Sequence, residues 1–409
     1  MKRIELILIA LVLVDLPLFS QKHNYVDSDT TLPPNWAHYT KENSSISEND
    51  IVDISEDTIG NIWVIAGRSN KSNIAMFDGK NWVSFNEEDG LASNKYRAIM
   101  GDSKGNVWVA TSGGVCKYDG KNWSIAGTFK DFFYIGWTRV LLEDSKGNIW
   151  VGTFYQDDNP GGGVLSYDGS KWTEHKVKGI TKSLGVNTII EDSKNRIWVG
   201  VGMKNDIGRI RSFDGEKWTL YKPVLSDPKN GPPDKFVTTI TEDRDGNIWV
   251  GDAFERGAAY GYSDAGSIRK YDGNEWKTIY EEIGSPKKTH LKIRKSILDK
   301  DGNIWFIAGA RYSGYIGGVY KYDGANWLIY TTENGLSSNY VVDIIESKDG
   351  CIWIATDEDA LNVISRFDGN NWIQEFDGAW KVSKLFADRK GNIWFGTISD
   401  GLFKYSPSK

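Results

Sequence analysis

A motif that returns roughly every 40–55 residues limits this chain more than any other feature. One half of the repeat reads Gly-Asn-Ile-Trp with small variations and supplies Trp63, Trp108, Trp150, Trp198, Trp249, Trp305, Trp353 and Trp394. The other half reads Phe/Tyr-Asp-Gly-x-x-Trp and supplies Trp82, Trp123, Trp172, Trp218, Trp276, Trp327 and Trp372. In both halves Gly stands three residues before Trp, so the two turns are expected to share one geometry. Gly would take the φ > 0 position and Trp would open the outgoing strand.

Each repeat holds four short segments rich in β-branched and aromatic residues, bounded by Gly, Asp and Asn. The 409 residues include 44 Gly and 18 Trp but only 10 Pro and 4 Met, a balance of strands and tight turns. Four short strands per repeat at this period describe the blades of a propeller. The last repeat stops after three strands, at Gly401-Leu402-Phe403-Lys404-Tyr405. Its missing fourth strand stands at the other end, where Asn35-Trp36-Ala37-His38-Tyr39-Thr40 matches Asn326-Trp327-Leu328-Ile329-Tyr330-Thr331. The expectation is an all-β, eight-bladed β-propeller over residues 35–406, four antiparallel strands per blade, closed by the Trp36 strand so that no sheet edge is left open.

Lys2 and Arg3 precede the apolar run 6–14, and Leu16 and Pro17 lead on to Leu18-Phe19-Ser20, which ends on a small residue before Gln21. This order predicts a cleaved secretory leader over residues 1–20, a linker over 21–34, and a periplasmic or extracellular protein. The run is shorter than the roughly 20 residues a membrane span needs, and no stable membrane anchor is expected. Net charge is −6 with both signs interspersed, which argues against nucleic acid as a partner. Cys116 and Cys351 fall in non-adjacent blades and are expected to stay unbridged and buried.

The run Glu143-Asp144-Ser145-Lys146-Gly147-Asn148-Ile149-Trp150-Val151-Gly152-Thr153 resembles the two-component regulator propeller repeat. So do Gly391-Asn392-Ile393-Trp394-Phe395-Gly396-Thr397 and the connection Glu333-Asn334-Gly335-Leu336-Ser337-Ser338-Asn339. The resemblance extends from Trp36 to Tyr405. It implies the periplasmic sensor part of a hybrid two-component system, which often responds to oligosaccharides. The 409 residues show no kinase, membrane or DNA-binding segment, so a separate sensor kinase or envelope protein is the partner to expect if the chain signals.

Turns between first and second strands, and between third and fourth, hardly vary in length among the eight copies. The other two connections vary widely, and both emerge on one face around the channel mouth, where binding is expected. Two Trp fall outside the repeat register, Trp137 and Trp380, both just before a first strand. They suit stacking on a sugar or apolar ligand, and equally the packing of loops. Eight residues before each first-turn Gly (Asn195 in one copy) stand Val52, Arg97, Arg139, Asn187, Thr238, Arg294, Val342 and Ser383. This tier can ring the channel with three Arg suited to a carboxylate, sulfate or phosphate. One position on, Asp53, Asp343, Lys295 and Lys384 can neutralise it and leave only a solvated channel. Tyr155, Arg256, Tyr260, Tyr262, Arg311, Tyr312 and Tyr315 lie in the variable loops.

Asp243-x-Asp245-Gly246 and Asp299-x-Asp301-Gly302 look like starts of calcium loops but lack the later bidentate Glu, and turn chemistry accounts for them. The four His (His23, His38, His175, His290) sit beside no nucleophile or zinc-type spacing, so no metal, cofactor or catalytic set is expected. The reading is a secreted, sensor-like propeller that binds a polar or anionic ligand such as an oligosaccharide. Alternatives are a protein-interaction platform and, more remotely, a lyase or hydrolase.

Overall fold

The structure, a computed structural model, describes residues 32–69, 71–128, 138–153, 163–175, 185–202, 209–221, 235–254, 266–279, 292–309, 317–358, 361–378 and 380–407. The expected leader lies outside these residues. Seven antiparallel sheets of four consecutive strands follow one another, from β2 (Ile51–Glu56) to β29 (Trp372–Gly378). The eighth is built from both ends of the chain: β30 (Val382–Ala387), β31 (Ile393–Thr397) and β32 (Leu402–Tyr405) are completed by β1 (Trp36–Tyr39). Trp36 stands opposite Tyr405 and Tyr39 opposite Leu402. The first strand of every sheet packs on the first strands of both neighbours, and β30 lies against β2, so the sheets close into a ring. This is the expected eight-bladed propeller; blades are numbered 1 to 8 from the sheet that begins at Ile51.

The two repeat signatures meet across every blade interface. Each second-strand Trp is buried, and its ring lies against the Phe or Tyr that ends the third strand of the next blade, a residue followed by Asp-Gly in every blade but the eighth. Trp63 lies 5.2 Å from Tyr118, Trp249 5.0 Å from Tyr322 and Trp305 5.5 Å from Phe367, centroid to centroid. Trp108, Trp150, Trp198 and Trp353 meet Tyr167, Phe213, Tyr271 and Tyr405 in the same way, and Trp394 meets Phe77 of blade 1. Such pairs add to plain area burial because offset and edge-on rings attract.

The indole N–H needs a partner in this apolar setting, and the turn supplies it. In blade 3, Asp144 accepts from Trp150 Nε1 at 2.8 Å and also from the backbone N–H of Lys146 and Asn148 and from Asn148 Nδ2. Asp57, Asp102, Asp192, Asp243, Asp299 and Asp388 hold their own Trp at 2.6–2.9 Å. In blade 7 Ser347 stands in for Asp, and its Oγ accepts from Trp353 at 3.1 Å.

The two turns do not share one geometry. The first spans Asp57 to Asn61 and the second only Asp78 to Asn81, closed by N–H···O bonds of 3.1 Å each. Only the longer loop brings its Asp back to the Trp. Both use a Gly with positive φ, +90° at Gly60 and +100° at Gly79. In blade 4 Asn195 takes the first of these positions at φ 58°. A Glu at the end of the first strand then clasps the preceding blade: Glu143 accepts from Ser103 N–H and Oγ, Glu191 from Ser145, and Glu242 from Ser193. The motif Glu-Asp-x-x-Gly-Asn-Ile-Trp is therefore a joint between blades as well as a turn.

Replacing Asp144 by Ala strands several donors, and an expected loss of about 2–4 kcal/mol should show as a lower urea midpoint at unchanged slope. Asp144→Ser, which copies the natural solution of blade 7, is expected to cost less than half as much.

Candidate functional site

Every first strand is bulged at one and the same place. The pairing with the second strand steps between Ile51 and Asp53, Tyr96 and Ala98, Thr138 and Val140, Val186 and Thr188, Val237 and Thr239, Ile293 and Lys295, Val341 and Asp343, and Val382 and Lys384. The extra residues are the eight read from sequence as a ring: Val52, Arg97, Arg139, Asn187, Thr238, Arg294, Val342 and Ser383. A bulge leaves one residue outside the ladder and re-aims its side chain. The residue before it pairs with the end of the second strand, as Ile51 does with Ala66, so the ring lies at the mouth beneath the variable connections.

Part of this ring is spent on holding blades together. Asn187 donates to Val237 O of the next blade at 3.0 Å, and Ser383 to Ile51 O at 2.6 Å. Thr238 bonds Gly251 O within its own blade. Arg294 is half-buried; its Nη1 donates to Tyr340 Oη at 3.1 Å, and its guanidinium stands 5.3 Å from the centre of that ring. Arg97 is also half-buried. Arg139 takes its bulge position in the strand Thr138–Glu143, and its side chain lies outside the described residues.

The tier below neutralises itself rather than the Arg tier. Lys295 Nζ meets Asp343 at 2.6 Å and Lys384 Nζ meets Asp53 at 3.0 Å, so blades 6, 7, 8 and 1 present alternating charges. Asp53 also accepts from Ile99 N–H and Asp343 from Leu385 N–H, each in the next blade. Thr239 does the same for Ser296 N–H. Burial opposes ionisation of Asp343, but Lys295, Lys384 and the Leu385 N–H outweigh it and hold the carboxyl below its ordinary range. Asp53, foremost, and Asp343 push Lys384 upward in turn.

Trp380 stacks on Phe403 at 4.4 Å and on Phe376 at 4.9 Å, half-buried where blades 7 and 8 pack. Trp137, Tyr155, Arg256, Tyr260, Arg311 and Tyr312, with Tyr262 and Tyr315, lie outside the described residues, as do His23 and His290. The structure thus brings Arg97, Arg294 and the backbone of Arg139 to one tier. Sequence reasoning missed Tyr340. It stands ten residues before its turn Gly, the same place as Trp137, and that shared offset is the signal that marks it.

The variable loops spring from fixed necks. Thr111, Thr153 and Thr397 each donate across the hairpin base, to Gly114 O, Gly163 O and Gly401 O. In blade 5 buried Asp252 takes this place, paired with Arg269 at 2.9 Å and accepting from Ser267 N–H. The remaining polar candidates serve the scaffold. Asp243 and Asp299 are taken up by their turns and Trp, and among the described residues no three His, Cys, Asp or Glu stand together as metal ligands. Cys116 is buried, with its thiol pushed up to about 11 by burial, whereas Cys351 is only half-buried; both are unbridged. His38 stacks on Phe403. His175 fills a slot that holds Phe85, Tyr221 and Tyr330 in other blades; it stacks on Trp150 and meets Ser166 Oγ at 2.8 Å.

The family model described as "Two component regulator propeller" matches residues 90–113, 136–155, 231–253 and 335–358, all on this repeat. Blades 2, 3, 5 and 7 thus match the two-component regulator propeller repeat. No curated protein matches it. Among solved structures, the surface component PorZ of the type-IX secretion system of Porphyromonas gingivalis aligns over 87% of this chain and 46% of its own, with TM-score 0.51 at 15% identity. A streptogramin B lyase aligns over 91% and 97%, with TM-score 0.51 at 14% identity. The extracellular domain described as that of a hybrid two-component system of B. thetaiotaomicron aligns over 88% and 57%, with TM-score 0.41 at 16% identity. This chain thus spans about half the length of the PorZ and two-component structures. A surface component and a lyase share the ring, so the fold alone does not select a function. No helix among the described residues is long and apolar enough to cross a membrane.

Two outcomes test the electrostatics. Lys384→Met leaves Asp53 without its cation, at an expected cost of about 1–3 kcal/mol given partial exposure, and Lys384→Met/Asp53→Asn should recover much of it in a denaturation cycle. Burial pushes His175 down to about 4, while its unfolded value is about 6.5. The unfolded chain therefore binds a proton first, and stability contributed by neutral His175 is lost as pH falls from about 6.5 to 4, by about 1–3 kcal/mol. Melting curves of His175→Phe should lack that part of the acid loss.

Proposed function

We propose that the chain is the ligand-binding propeller of an extracytoplasmic sensor system and takes a polar or anionic ligand, such as an oligosaccharide, at the channel mouth. The observation that carries this is the shared bulge. A constant scaffold puts one re-aimed residue per blade at the mouth, and the eight residues there differ, three of them being Arg. Arg suits oxyanion recognition by paired N–H groups, and the loops above vary where the rest of the repeat is fixed. The sensor role rests on the repeat family and on the leader-like first 20 residues. The solved relative described as an extracellular domain of a two-component system is consistent with it.

Thermal unfolding in the presence of uronic and sulfated oligosaccharides tests the reading. A ligand at a hundred times its Kd should add about 2.7 kcal/mol and raise Tm by several degrees, and Arg97→Ala and Arg139→Ala should shrink that rise. No response to any glycan, or a response untouched by both substitutions, would refute it.

A further inference from the structure

We infer that Arg294 is the anchor for the ligand's oxyanion, a carboxylate or sulfate, and that Tyr340 is the residue that positions it. This rests on the ligand-binding reading above and names the side chains that carry it.

Arg294 is the bulged residue of the strand Ile293–Leu298 in blade 6, and Tyr340 directly precedes the first strand of blade 7. The phenol accepts from Nη1 at 3.1 Å while the ring lies under the guanidinium. One contact fixes the end of the fork and the other fixes its plane. The opposite edge, Nε with Nη2, has no hydrogen-bond partner among the described residues, and Nε is buried. A buried donor without an acceptor is costly, and an incoming oxygen relieves that cost. This edge is the one that grips a planar carboxylate or a sulfate face through two parallel N–H···O bonds.

Local charge supports the same assignment. The nearest acid of the tier below, Asp343, is taken by Lys295 at 2.6 Å, and no carboxylate among the described residues pairs with Arg294. The cation at the mouth is thus not cancelled from below. Arg97 holds the equivalent bulge in blade 2, four blades away and so on the opposite wall of an eight-bladed ring. A ligand with its anionic group on Arg294 therefore lies across the mouth toward a second cation.

The test uses the full chain with sodium sulfate and sodium galacturonate as probes, at constant ionic strength. Thermal unfolding and calorimetry are run on the wild type, Arg294→Ala, Arg294→Lys and Tyr340→Phe. Sulfate stabilises proteins in general, so the signal is the excess in wild type over Arg294→Ala. Expected is a clear excess for at least one probe. Arg294→Lys, which keeps the charge but loses the fork, should weaken binding about tenfold. Tyr340→Phe should weaken it several-fold while melting like the wild type without probe, a split that a merely structural Tyr would not give. Equal responses of wild type and Arg294→Ala to both probes would overturn the anchor. If a glycan from the earlier screen still bound both proteins, the binding reading would stand and only Arg294 would leave it. A Tyr340→Phe protein that binds like the wild type would remove the positioning role.

Discussion

Each second-strand indole is gripped twice, by the turn of its own blade through Nε1 and by an aromatic ring of the next blade through its face. A blade cannot bury its two faces alone; it depends on its neighbours. The Asp fixes where the Trp points, so the neighbour's Phe or Tyr meets it in one way around the whole ring. The carboxylate closes the turn with the same oxygens that hold the indole, so strand pairing inside a blade and packing between blades share one anchor. Ser347 shows what is dispensable: a neutral hydroxyl accepts from Trp353 at 3.1 Å, so the acceptor matters more than its charge.

This arrangement puts nearly all the repeated chemistry on one face. Turn Asp, clasping Glu and turn Gly sit at the short loops, and little of the repeat motif reaches the opposite end of the strands. There the repeat imposes only a bulge and a hairpin neck. The bulge fixes the backbone and leaves the side chain open, which is why Val, Arg, Asn, Thr and Ser can occupy one structural position. The tier below is less free, because its residues reach the N–H of the next blade. Asp53, Thr239 and Asp343 all do this, with Lys295 and Lys384 filling the charge gaps between them.

The ring was legible in the sequence because its signals are periodic. Eight Gly-Asn-Ile-Trp turns, seven complete second turns and the orphan Trp36 strand gave both the blade number and the closing strand. The turns were legible only in part. Gly three residues before Trp marks both, but their different spans depend on the distance from Asp to Asn, which a shared Gly–Trp offset hides. Asp six residues before Trp is visible in seven copies, yet its bond to the indole is a matter of three-dimensional reach. The charge chain could not be read as pairs, since Lys384 and Asp53 become neighbours only when the ends of the chain meet. At the mouth, an off-register Trp is conspicuous, whereas Tyr340 is one of 19 Tyr. Trp380 is one such Trp, yet it stacks with Phe376 and Phe403 because the fourth strand of blade 7 runs on to Gly378.

Closing the ring with one strand from the far end leaves β30–β32 joined to β1 and to blade 1 by no covalent turn, which makes this seam the natural weak point. The contacts there are of different kinds. β1 completes the sheet, Trp394 packs on Phe77, Ser383 bonds Ile51 O, and Lys384 meets Asp53. Arg389 adds bonds to Glu56 and to Thr58 O. Aromatic packing, backbone pairing and ion pairing respond differently to heat, salt and pH, so no single condition removes them all. The seam also anchors the end of the charge chain that floors the channel mouth, which ties closure of the ring to the geometry of the surface where the Arg tier stands.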